Sequence, residues 1–261
     1  MSTLSGVRRT PNGPLRFPSP RSVRARTVEA MTAAFIDIPG VRNFRDAGGI
    51  GALRRGVLYR SGSLHTLTEE GARKLKDLGL RTVVDLRSPF ELETWPDQRY
   101  GLDHESLNLP TLPANRGDLD RPWPEDQAGL YTFMPETAGP SLSAVIRRLA
   151  DPEAVPVVVH CAVGKDRTGL TIAVLQSLLG ASDADITADF LLSNLGLGLD
   201  EGPIPYIDET GSERLSRPVA AEHIAASLDW IRTQHGTVPG YLHSHGLTEA
   251  DLDALRANLS A

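Results

Sequence analysis

The sequence predicts an α/β protein with a central, largely parallel sheet flanked by helices, and three observations lead there. From residue 36 onward, short β-branched runs alternate with helix-length segments, with no linker between them. The run Val155-Pro156-Val157-Val158-Val159 fits a buried strand. A short polar loop then joins it to Leu170-Thr171-Ile172-Ala173-Val174-Leu175-Gln176-Ser177-Leu178-Leu179, which is apolar enough for a core helix.

In chain order, Val57-Leu58-Tyr59-Arg60 and Arg81-Thr82-Val83-Val84-Asp85-Leu86 read as strands. Between them a helix is capped by Thr68, whose hydroxyl can accept an orphan N–H of the first turn, and ends near Gly79. Glu105-Ser106-Leu107-Asn108-Leu109 is a weaker strand. Residues 110–129, rich in proline, aspartate and arginine, read as a surface loop at the mouth of the site. Pro140 is expected to open a helix that runs to about Leu149 and feeds the central strand. Gly180 can end the core helix, and Ser182-Asp183-Ala184-Asp185 caps another. Glycines and prolines in residues 197–216 break the pattern. Val219 to Gln234 then reads as an amphipathic helix, and Thr248-Glu249-Ala250-Asp251 caps a last one.

The loop before the core helix carries the chemistry. It reads His160-Cys161-Ala162-Val163-Gly164-Lys165-Asp166-Arg167-Thr168-Gly169 and holds the only cysteine of the chain. In such a loop the backbone N–H groups of Ala162, Val163, Gly164 and the residues after them can converge on one point. The positive end of the helix dipole completes an anion cradle. Gly164 permits the positive φ that the curl requires. A helix N-terminus and nearby donors can bring a cysteine pKa from about 8.5 to roughly 3.5–7.5, so Cys161 is the expected nucleophile. Arg167 offers a planar fork matched to two phosphate oxygens. Thr168 can donate its hydroxyl to the sulfur, and His160 can orient the loop from behind. The competing reading is a small buried cysteine in an ordinary strand–loop–helix junction.

Two further loop residues have less settled tasks. Lysine occurs only at 74, 76 and 165, against twenty-four arginines, so Lys165 stands out from the background. Its ammonium can meet a second anionic group on a substrate, or it is a solvated charge at the loop rim. A phosphoryl transfer through Cys161 also needs one carboxylate, first to protonate the leaving oxygen and then to deprotonate water. Asp166, inside the loop, ranks first. Asp85, at a strand carboxyl end, competes, unless it pairs with Arg87 or Arg60 to brace the sheet.

The Cys-x5-Arg-Thr-Gly pattern resembles the signature of the cysteine-dependent protein tyrosine phosphatases. The fuller His-Cys-x-x-Gly-Lys-Asp-Arg-Thr-Gly is similar to their atypical bacterial family. Asn43-Phe44-Arg45-Asp46-Ala47-Gly48-Gly49, Leu58-Tyr59-Arg60-Ser61-Gly62, Thr82-Val83-Val84-Asp85-Leu86-Arg87-Ser88-Pro89-Phe90-Glu91 and Phe190-Leu191-Leu192-Ser193-Asn194 support it in the family's order. The resemblance covers about residues 36–259. It implies a phosphatase-like fold and hydrolysis through a cysteinyl phosphate, without metal or organic cofactor. It also implies weight on Asp166 and a mobile helical lid near residues 197–245. Phosphotyrosine proteins are the leading substrate, and the resemblance extends the range to phosphoserine, phosphothreonine and inositol lipids. A phosphoinositide phosphatase and a non-catalytic phosphate-binding module are the alternatives, with sulfur transfer a further use of a loop cysteine.

Composition bounds the rest. At 261 residues and 40% hydrophobic content the chain can bury a sizeable core, and residues 31–261 read as one catalytic domain. No apolar run reaches transmembrane length. A single cysteine excludes an internal disulfide and fits a reducing compartment. The net charge of −6 argues against nucleic acid as a partner. Residues 1–30 carry six arginines against one glutamate and read as a disordered basic arm, and Met31 is a second candidate start. The arm lacks an apolar core for a secretory signal, so a cytoplasmic location is expected.

Overall fold

The computed structural model describes residues 34–113, 119, 122–208 and 210–261. The basic arm of residues 1–30 therefore lies outside the described residues, as do 114–118 in the proline-rich loop.

Five strands form the central sheet: β1 (Arg45–Asp46), β2 (Leu58–Ser61), β3 (Thr82–Asp85), β4 (Glu105–Asn108) and β5 (Val157–His160). Their order is β1-β2-β5-β3-β4, parallel throughout except for the antiparallel β1 edge. β5 is the middle strand and all four of its residues are buried, as its valine run predicts. Each fully buried valine there contributes about 1.5–3 kcal/mol of apolar burial. β4 at the opposite edge is mostly exposed, the physical reason its pattern is weak.

Helices cover both faces: α1 (Glu69–Asp77), α2 (Pro89–Thr94), α3 (Gln127–Leu149), α4 (Asp166–Leu178), α5 (Asp183–Leu197), α6 (Ala221–His235), α7 (Val238–Ser244) and α8 (Glu249–Leu259). The expected caps operate. Thr68 accepts from Gly71 N–H, Ser182 from Asp185 N–H, and Thr248 forms a capping box with Asp251. The expectation at Pro140 is corrected. α3 begins thirteen residues earlier, at Gln127 on an Asp126 cap, and carries both Pro135 and Pro140 in its interior. An internal proline frees the carbonyl four residues back. Here the Tyr131 carbonyl freed by Pro135 accepts from Ser227 Oγ of α6 at 2.5 Å. Tertiary packing of Tyr131, Met134, Leu142 and Ile146 outweighs the local cost.

After α5 the broken pattern resolves into an antiparallel hairpin of β6 (Ile204–Ile207) and β7 (Glu213–Ser216). Among the described residues no helix is long and apolar enough to cross a membrane.

Candidate active site

The register sets His160 of β5 level with Ser61 of β2 and Asp85 of β3, at the carboxyl edge of the sheet. Parallel sheets bind ligands at that edge. The chain leaves β5 there as the loop Cys161 to Lys165, and α4 starts at Asp166. The N-cap residue Lys165 makes no side-chain cap at the N-terminus of α4, which leaves first-turn N–H groups to face the loop.

The loop peptides all face one way because donors hold their carbonyls from behind. Ala162 C=O accepts from Ser63 N–H at 3.1 Å, and Gly164 C=O accepts from Asn43 Nδ2 at 2.9 Å and Arg60 Nη2 at 3.0 Å. In a trans peptide the C=O and the following N–H are opposed, so the N–H groups of Val163 and Lys165 turn away from those donors into the cradle. Gly164 sits at φ +69°, and a Cβ there would lie 2.1 Å from the Ser61 carbonyl oxygen.

Behind this loop lies a layer that sequence reasoning missed. Arg45 and Arg60 are fully buried and share one carboxylate, Asp189 of α5, at 3.2 and 2.7 Å. Ser193 Oγ accepts from Arg45 at 3.2 Å. Two guanidiniums against one carboxylate leave the layer net positive behind an anion cradle. Burial and the neighbouring Arg60 push the Arg45 guanidinium down to about 9, against the pull of Asp189. Gly169 lets the Phe190 ring of α5 close on α4, since a Cβ would stand 2.8 Å from it. Part of the signal was available: Arg45, Arg60, Phe190 and Ser193 belong to the segments that carry the family resemblance, yet spacing alone assigned them no task, and Asp189 lies just outside those segments. Asp189→Ala should cost about 3–5 kcal/mol of stability in a urea melt, because it strands two buried charges. Asp183→Ala, which removes a surface pair with Arg232, should cost no more than about 1 kcal/mol. Equal midpoints for the two variants would refute the network's structural weight.

Cys161 is 2% exposed. Burial pushes its thiol up, but the Arg167 charge and the Thr168 hydroxyl and N–H outweigh this and hold it below the usual cysteine value. Thr168 Oγ1 is buried with no other partner. Arg167 makes a fork-to-fork pair with Glu91, Nη1 to Oε2 at 2.6 Å and Nη2 to Oε1 at 2.9 Å. Glu91 is the third residue of α2, fixed by a capping box with Ser88. Ser88-Pro89-Phe90-Glu91 is a readable helix start, but nothing in the spacing tied it to Arg167.

Asp166 Oδ1 accepts from the Tyr131 hydroxyl, and Lys165 Nζ lies 3.7 Å from Oδ2. Burial and the Asp166 charge raise the Tyr131 phenol well above its ordinary value, and its ring stacks on His223 at 5.0 Å. Lys165 is not a solvated rim charge: it is 2% exposed and donates to the Arg217 carbonyl at 2.6 Å. Asp85 accepts from Arg87, with Nη2 to Oδ2 at 2.7 Å, while Arg60, the other partner considered for it, goes to Asp189. Arg87 also reaches Asp97 at 2.9 Å. His160 Nε2 lies 3.0 Å from Asp97 Oδ2, off the line of a hydrogen bond. Although burial opposes it, the Asp85 and Asp97 charges raise His160 to about 9, while Asp97, despite its own burial, falls to about 2 beside His160 and Arg87.

A buried parallel strand that delivers a Cys-x5-Arg loop to an uncapped helix N-terminus is the construction of a cysteine-dependent phosphatase. The sequence profile of the tyrosine phosphatase family matches residues 36–261, and the chain belongs to that family as an enzyme of the tyrosine phosphatase type. It is 29% identical to the triple specificity protein phosphatase PtpB of Mycobacterium tuberculosis, over 85% of this chain and 98% of that one. It is 27% identical to a tyrosine-protein phosphatase of Nostoc commune, over 80% and 76% of the two chains. Among solved structures, P. aeruginosa TpbA superposes with a TM-score of 0.40 at 20% identity, over 76% of this chain and 92% of that one.

Proposed function

We propose that this chain hydrolyses phosphomonoesters, with phosphotyrosine proteins as the leading substrate, through a cysteinyl phosphate. The observation that carries the reading is the depressed Cys161 thiol beside Arg167, within a loop whose N–H groups face one cradle. The Cys161 thiolate attacks phosphorus, the ester P–O bond breaks, and Asp166 gives its proton to the leaving oxygen. Water then attacks phosphorus and loses a proton to Asp166; the S–P bond breaks, releasing phosphate and restoring the thiolate. Arg167, Val163 N–H and Lys165 N–H hold the transferring oxygens. Tyr131 orients the Asp166 carboxyl. Asp85 braces Arg87 and His160 beneath the loop.

The PtpB relative is named a triple specificity phosphatase, which supports a range wider than phosphotyrosine. The lid role narrows to the segment that carries β6 and β7, since Ile224, Leu228 and Ile231 root α6 in the core. Its contact with the loop is the Arg217 carbonyl on Lys165.

The two aspartates are separated by leaving group. An aryl oxide such as p-nitrophenolate departs almost unaided, whereas an alkyl or tyrosyl oxygen needs a proton. Asp166→Asn should therefore lose about 10²–10⁴-fold on phosphotyrosine peptides, much less on p-nitrophenyl phosphate, and one limb of the pH–rate profile should flatten. Asp85→Asn should lower stability with little leaving-group selectivity. The reverse pattern would move the proton donor to the end of β3.

A further inference from the structure

Tyr131 of α3 holds the Asp166 carboxylate, and it is itself held by another helix. Its hydroxyl donates to Asp166 Oδ1, which leaves Oδ2 as the oxygen free to carry a proton to the leaving group. The phenol is fully buried, and its raised pKa keeps it protonated, so it acts as a donor throughout. A tyrosine hydroxyl sits at the end of a rigid ring. The position and tilt of that ring therefore decide where the hydroxyl lies.

Two helices fix the ring. Phe190 of α5 meets it edge-on, with centroids 5.7 Å apart and planes at 80°, while His223 of α6 lies flat against it at 5.0 Å and 11°. α6 also takes the Tyr131 backbone. Pro135 has no N–H to give to the Tyr131 carbonyl, and Ser227 Oγ donates to it instead. Residues 223 and 227 stand about one turn apart on one face of α6, so that face grips Tyr131 by ring and by carbonyl. His223 is fixed in turn. As the third residue of α6 it reaches back, and its Nδ1 accepts from Ala220 N–H at 3.0 Å in the manner of a capping-box glutamine. The chain entering α6 is tied to α5, since Asn194 accepts from Val219 N–H at 2.8 Å and donates to the Val219 carbonyl at 2.9 Å.

We propose that His223 is a positioning residue for proton transfer: its ring, stacked on Tyr131, sets the hydroxyl on Asp166 Oδ1 and so presents Oδ2 to the leaving oxygen. This deepens the phosphatase reading and rests on Asp166 as its proton donor. The imidazole has two separable tasks, as an acceptor at the start of α6 and as a ring against Tyr131. Two substitutions divide them. His223→Gln keeps an acceptor for Ala220 N–H and removes the ring, whereas His223→Phe keeps a ring and removes the acceptor.

The test compares kcat/KM of the full chain for phenyl phosphate and p-nitrophenyl phosphate, two aryl esters close in size whose leaving oxides differ in their need for a proton. In His223→Gln the phenyl to p-nitrophenyl ratio should fall about 3–10-fold, the loss expected of one aromatic pair, while His223→Phe stays within about twofold of wild type. Tyr131→Phe should lower the same ratio, and adding His223→Gln to it should lower it no further, since the stack acts through the hydroxyl. A loss in His223→Phe equal to that in His223→Gln would assign the effect to the helix start, and a full second loss in the double variant would detach His223 from the hydroxyl. Either result overturns the proposal, as does an unchanged ratio in His223→Gln. If Asp166→Asn leaves the ratio unmoved, or wild type hydrolyses neither ester, the phosphatase reading fails separately. Urea unfolding of wild type, Tyr131→Phe, His223→Gln and the double variant then decides the positioning alone: loss of the hydroxyl should cost less stability in His223→Gln than in wild type, and an equal cost sinks it.

Discussion

Cys161→Ser should reduce turnover of p-nitrophenyl phosphate and of phosphotyrosine peptides to below about a hundredth of wild type while retaining vanadate binding. The separation follows from where each function resides. Binding is the work of backbone N–H groups and Arg167, which the substitution leaves in place. Bond formation needs a thiolate, and the serine hydroxyl stays protonated in the same environment. Steady-state rates and vanadate titration of the same preparation check both halves. Activity above that level would mean that the sulfur does not form the covalent intermediate. Because Cys161 is buried and close in size to serine, unchanged thermal unfolding should accompany the loss.

Arg167→Lys should cost about 10²–10⁴ in kcat/KM, on the order of 3–5 kcal/mol of transition-state stabilisation. Charge survives this change and geometry does not. The Glu91 pair fixes the plane of the guanidinium by taking one N–H from each Nη at 2.6 and 2.9 Å. An ammonium drawn to Glu91 would become a point charge with no second prong for an equatorial oxygen. Arg167→Ala, which removes the charge as well, should also make the cysteine less reactive, since the Arg167 charge is the largest influence that lowers its thiol. Slower alkylation of Cys161 by iodoacetamide at neutral pH reads that second effect independently of substrate. A kcat/KM loss below tenfold would remove Arg167 from the transferring phosphoryl group.

The sequence by itself determined the scaffold and the loop. The valine run of β5, the Thr68, Ser182 and Thr248 caps, and the glycines that end α1 and α4 are local signals, each acting within a few residues, so periodicity and capping chemistry expose them. The same holds for the decapeptide from His160 to Gly169, whose nucleophile, arginine and curl lie in one continuous segment. The tertiary structure alone decided what surrounds it. Glu91 reaches Arg167 across 76 positions, and Arg60 reaches Asp189 across 129. Neither pairing leaves a trace in local pattern. Pro140 was misleading for the same reason: proline's local cost is visible in sequence, and the packing of the long helix that carries it is not. Lys165, read from sequence either as a cation for a second anion or as a rim charge, is a buried group whose ammonium donates to the Arg217 carbonyl from beyond β7. A residue's covalent neighbours fix its backbone and its chemical type. Burial, charge partners and protonation depend on groups that only the folded chain brings within a few ångströms.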